Sequence, residues 1–138
     1  MSEYSRYEKA KDDAEKKGCV ILVPSAREAF VDIDDGPSLE IFYANIARLK
    51  EIELLSHKRH RSPSGKEGRY HVVVTFERDI TPIERILFQA LLGSDRVREF
   101  LSYQRHVRGD ATPTLFFETK GGKYDPTPKT ASLEDPFA

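Results

Sequence analysis

The chain has 138 residues, about one domain's worth. Its 22 Lys and Arg against 23 Asp and Glu leave a net charge of -1, which excludes a uniformly basic nucleic-acid coat but not a local basic patch. A lone cysteine, Cys19, excludes a disulfide framework and a CxxC zinc site, and no apolar run approaches the roughly 20 residues that cross a bilayer. The charged N-terminal stretch does not read as a signal peptide, so a cytoplasmic location is expected.

Residues 2–17 read as a polar helix with Tyr4, Tyr7, Ala10 and Ala14 at helical spacing, ended by Gly18. Cys19-Val20-Ile21-Leu22-Val23 predicts a buried strand, and Ala29 to Asp34 a second that could pair with it as a hairpin. Ser38 is expected to cap a helix reaching about Ile52, with Leu39, Phe42, Ile46 and Leu49 on its apolar face. A third strand is expected from Leu54 to Lys58, then a basic Ser/Pro/Gly loop over 58–69. Tyr70-His71-Val72-Val73-Val74-Thr75-Phe76 is the strongest strand signal.

Thr81, Pro82 and Glu84 spell a helix start with a capping box, followed by Ile83, Ile86, Leu87, Ala90 and Leu91 at helical spacing. Ser94 is expected to cap a further helix whose apolar face is Val97, Phe100, Leu101 and Val107. Thr114 to Glu118 predicts a last strand. The order α-β-β-α-β-β-α-α-β implies an α+β fold with a small, mostly antiparallel sheet carrying helices. Residues 1–119 form the expected domain, and the Gly-, Pro-, Lys- and Thr-rich residues 120–138 a flexible tail.

Three places carry chemistry. Asp32 and Asp34, two apart on a strand, put both carboxylates on one side, where a hard cation such as Mg²⁺ or Mn²⁺ would relieve their repulsion. An ordinary acidic strand end is the plainer alternative. The segment from Lys58 and Arg59 through Arg61, Ser62, Ser64, Gly65, Lys66 and Arg69 offers cations and backbone N–H groups suited to phosphate oxygens, and leads into His71. Its spacing is not that of a Walker A loop, and a solvated hairpin loop is its bland counterpart. Glu118, closing an apolar strand, is a third candidate carboxylate.

In this order the motifs resemble the archaeo-eukaryotic primase superfamily, particularly the small prim-pol domains of plasmids, phages and mobile elements. Phe30-Val31-Asp32-Ile33-Asp34 matches the family's acidic strand. Ser62-Pro63-Ser64-Gly65 with Tyr70-His71-Val72-Val73-Val74 matches its Ser-Gly loop and strand histidine, and Leu115-Phe116-Phe117-Glu118 its last acidic strand. The chain departs from the family in its short N-terminal unit, in the insertion Lys66-Glu67-Gly68-Arg69, and in carrying neither a zinc element nor a helicase.

The resemblance implies an RRM-like, primase-palm-like core and two-metal nucleotidyl transfer to a 3′-hydroxyl in DNA replication. Asp32, Asp34 and Glu118 would hold Mg²⁺ or Mn²⁺, with His71, Ser64 and Lys66 on a nucleoside triphosphate. Lys58, Arg59, Arg61 and Arg69 would meet the triphosphate or a single-stranded or primer-template DNA or RNA. A catalytically inactive nucleic-acid-binding or replication-accessory protein of the same fold is the second reading. The tail segment Ser132-Leu133-Glu134-Asp135-Pro136-Phe137-Ala138 is a candidate docking peptide for a replication protein.

Overall fold

The computed structural model describes residues 6–61 and 68–119, with side chains over 8–60 and 68–116. The elements follow the expected order: α1 (Arg6–Lys16), β1 (Cys19–Leu22), β2 (Glu28–Ile33), α2 (Gly36–Leu49), β3 (Leu55–Arg61), β4 (Tyr70–Phe76), α3 (Pro82–Leu91), α4 (Arg96–Val107) and β5 (Phe116–Thr119). The fold is α+β. Its main sheet has three antiparallel strands in the order β2-β4-β3, and β1 and β5 form a separate antiparallel ladder. None of the described helices is long and apolar enough to cross a membrane.

Strand periodicity divides the main sheet into two unlike faces. Ala29, Val31 and Ile33 of β2 and Val72, Val74 and Phe76 of β4 point to one side, where they meet Phe42, Ile46 and Leu49 of α2 in the core. Phe30, Asp32 and His71 point to the other side. There the ring of Phe116 from β5 stacks on Phe30 at 4.5 Å and on His71 at 3.9 Å between centroids. Among the described side chains, Phe116 joins the β1-β5 ladder to the main sheet, and the acids of β2 lie outside the apolar core.

Several local expectations are corrected. β1 does not form a hairpin with β2; it pairs with β5, because β4 takes one edge of β2 and side chains of α3 and α4 take the other. Nor is β1 fully buried. Its burial alternates, with Val20 and Leu22 exposed, as a two-stranded ladder covered on one face requires. α2 is capped by Asp35 rather than Ser38: the Ser38 N–H donates to Asp35 Oδ1 at 2.8 Å and Pro37 stands in the first turn. The capping box of α3 forms as read, with Glu84 N–H donating to Thr81 Oγ1 at 3.1 Å and Thr81 N–H to Glu84 Oε1 at 2.9 Å.

The junction between α3 and α4 presses on the start of α2. Gly93 has φ +88°, and a Cβ there would lie 2.6 Å from the Ser38 carbonyl oxygen. Both the backbone conformation and the close approach demand glycine. Gly93→Ala is expected to cost about 1–3 kcal/mol of unfolding free energy. Urea denaturation checks this; an unchanged midpoint would refute the close approach.

Candidate metal-binding site

Among the described residues no strand neighbours the outer edge of β2, yet its polar groups are satisfied. Arg85 Nε donates to the Glu28 carbonyl at 2.8 Å, and the Phe30 N–H donates to Gln89 Oε1 at 2.8 Å. Arg98 Nη1 donates to the Phe30 carbonyl at 2.8 Å, and the Asp32 N–H donates to Ser94 Oγ at 3.0 Å. The Asp95 N–H closes the row on the Asp32 carbonyl at 2.9 Å. Side chains and one amide of the α3–α4 segment thus replace a missing strand, residue by alternate residue.

Behind this row lies Glu99, only 3% exposed. Its carboxylate accepts from Gln89 Nε2 at 2.7 Å, from Ser94 Oγ at 2.7 Å and from Arg98. Burial pushes the Glu99 carboxyl above its ordinary range, opposed by Arg98, Ser94 and Gln89. Arg98 also donates to the Leu115 carbonyl at 3.3 Å and lies over the Phe116 ring at 5.0 Å. It ties α4 to β2 and to the approach to β5.

This docking brings Asp95 beside the acids of β2. Asp95 caps α4, its Oδ1 accepting from the N–H of Val97 at 2.9 Å and of Arg98 at 3.3 Å. Asp32, Asp34 and Asp95, all half-buried, each offer a carboxylate oxygen, and the three oxygens lie within 4.8 Å of one another. Asp34 is just past the end of β2 but keeps its place beside Asp32. A cleft of about 400 Å³ adjoins the cluster, lined by Asp34 and Asp95 and by the first turns of α2 and α4.

The electrostatics show how crowded the acids are. Burial raises the Asp34 carboxyl to about 6, helped by its hydrogen bond with Asp95 and by the charges of Asp32 and Asp95, while Arg69 opposes the shift. For Asp95, burial also acts upward, but the hydrogen bond with Asp34, the N–H groups of Arg98 and Val97 and the Arg98 charge bring it below its ordinary value. Below about pH 6 the proton is held on Asp34, and Asp95 keeps the charge. A proton held between two carboxylates marks a place where a divalent cation would be welcome. Three hard oxygen donors fit Mg²⁺ or Mn²⁺.

His71 lies across the ladder from Asp32, with Nε2 3.8 Å from Oδ1, and is buried under Phe116. Lys58 and His60 occupy the same face as Asp32, whereas Arg59 is on the α2 face, hydrogen-bonded to Tyr43 and lying over Tyr70. The expectation that Lys58, Arg59 and Arg61 belong to a loop is corrected. β3 continues through Arg61, and the alternation of its residues takes Arg59 away from the acids. Arg69 remains close enough to act on Asp34. Ser62, Ser64, Gly65 and Lys66 lie outside the described residues. Glu118 pairs through its backbone with Val20 in the β1-β5 ladder, and its side chain is outside the described ones.

Asp95 is the member that sequence reading missed. The expected cap was Ser94, one residue early; Ser94 instead holds the Asp32 amide. An Asp immediately before a helical run was the available signal. Arg98 is the half-buried centre of the network.

Asp34 is protonated more readily in the folded chain than its ordinary value of 3.8 implies. Its contribution to stability is therefore complete below that value and lost as pH rises through about 6. Asp34→Asn should raise the melting temperature at pH 8 by on the order of 2 °C and leave it nearly unchanged at pH 4. Calorimetry at both pH values tests the sign. Ser94→Ala leaves the Asp32 N–H without its acceptor and should cost about 1–3 kcal/mol, read by urea denaturation. No family model, curated protein or solved structure matches the chain, so its chemistry has to be argued from this geometry.

Proposed function

We propose that the chain is a divalent-metal-dependent nucleotidyltransferase of the primase-polymerase type. The observation that carries this reading is the convergence of Asp32, Asp34 and Asp95 within 4.8 Å beside an open cleft. The connectivity lends partial support: β2-α2-β3-β4-α3 runs β-α-β-β-α with spatial order β2-β4-β3, three of the four strands of an RRM-like palm. Bound Mg²⁺ or Mn²⁺ would activate a 3′-hydroxyl and neutralise charge at the phosphorus.

The chain's own residues have separate tasks in this reading. Asp32 presents its carboxylate from a strand whose N–H and C=O are both fastened, so its direction is held. Asp34 must release its proton before it can act as a ligand, so ion affinity should increase as pH rises through about 6. Asp95 contributes from a helix N-terminus, where the dipole favours its charge. Arg69, already close enough to act on Asp34, would meet the triphosphate.

Template-directed nucleotide incorporation with Mn²⁺ tests the proposal. Asp32→Ala and Asp95→Ala should each lower incorporation by about 100-fold or more, since loss of a ligand costs at least as much as loss of its outer-shell partner. Undiminished incorporation by Asp32→Ala would refute it. Glu118→Ala in the same assay decides whether that acid joins the site.

A second reading, binding of nucleic acid without catalysis, is favoured by one observation. Ser56, Lys58 and Thr75 are exposed on the same sheet face as Asp32 and leave a polar surface for a phosphate backbone. Salt-dependent binding with no incorporation by the wild-type chain would select it.

A further inference from the structure

The apolar face of α4 expected to enter the core does not do so. Val97, Phe100 and Val107 are 67%, 58% and 64% exposed, and Leu101 is exposed beside them, while Glu99 and Ser102 are buried. The helix is amphipathic with its polar side inward, because that side satisfies the edge of β2. α3 adds a second stripe, Leu87 at 63% and Leu91 at 47% exposed. Ala90 of α3 and Val97 of α4 also line the cleft that holds Asp34, Asp35 and Asp95, so the acids lie at the Val97 end of this surface. Apolar residues at helical spacing, open to water over two packed helices, mark a docking surface rather than scattered exposure.

The charge around this surface narrows the occupant. α4 has exposed Arg96 and half-buried Arg105, exposed Arg108 caps its C-terminus, and its one acid, Glu99, is buried and paired with Arg98. A second copy docked through the same face would bring these arginines against themselves. An acidic, apolar segment would not meet that repulsion. The chain has one in residues 132–138, where Leu133 and Phe137 flank Glu134 and Asp135.

The connection is long enough. Leu115 accepts a hydrogen bond from Arg98 of α4 just before β5 begins, so the chain passes beside α4 on its way to the tail. Residues 120–131 reach about 40 Å when extended, against about 18 Å for the length of α4. Tethering gives a millimolar effective concentration, at which a weak contact is mostly closed.

We propose that residues 132–138 dock on the apolar, arginine-flanked face of α3 and α4 in the same chain, with Leu133 and Phe137 on the apolar stripe and Glu134 and Asp135 toward the arginines. This docking does not depend on the nucleotidyl-transfer reading. The test uses the full chain and the double variant Leu133→Ala with Phe137→Ala, which leaves the folded elements untouched. Methyl and amide NMR signals of Leu87, Leu91, Val97, Leu101 and Val107 should shift in the variant, and fluorescence of an apolar dye should rise severalfold. Unchanged signals in the variant would overturn the proposal. Signals of the wild-type chain that move on dilution would overturn it too, by assigning the face to a second copy.

Discussion

Much of this protein depends on how the open edge of β2 is closed. An edge strand leaves a row of N–H and C=O groups that must find partners once they are buried. Here Arg85, Gln89, Ser94 and Arg98 reach in from α3, α4 and the junction between them and take every second residue of the strand. Buried polar side chains are costly unless all their groups are satisfied. Glu99 completes the set by accepting from Gln89, Ser94 and Arg98 at once. The arrangement explains an otherwise perverse helix: α4 turns its Glu and Ser inward and its Val, Phe and Leu to water.

The same closure assembles the candidate site. Asp32 belongs to β2 and Asp95 to the first turn of α4. The two elements are joined through the Asp32 N–H on Ser94 and the Asp95 N–H on the Asp32 carbonyl. Their carboxylates are close because their backbones are fastened. Asp34 is drawn into that field and keeps a proton to a pH near 6. The fold thus tolerates an electrostatic strain at one end of the sheet that packing elsewhere does not require. Carboxyl groups perturbed in this way gather at functional sites.

The two-faced sheet separates stability from chemistry. α2 fills one face with Phe42, Ile46 and Leu49, and the other face carries Asp32 and, stacked under the ring of Phe116, His71. A strand's period of two then sorts neighbours that look alike in sequence. Lys58 and His60 share the face of the acids, and Arg59 between them packs against Tyr43 and Tyr70. A run of basic residues is therefore not one patch. Its members serve different faces.

By itself the sequence determined the element order, the capping box at Thr81, the left-handed Gly18 at the end of α1, the α2 face that enters the core, and the acids Asp32 and Asp34 as partners. These follow from local propensity and periodicity, which act over a few residues. Only the tertiary structure decided that β1 joins β5, that Asp95 completes the acidic cluster, and that the polar side of α4 faces inward. Strand partners are chosen by which edges remain open, and that depends on elements far apart in the chain. The inward face of a helix is normally its apolar one. Here it is set by unpaired backbone groups on a strand more than sixty residues earlier, a demand that no pattern within α4 records.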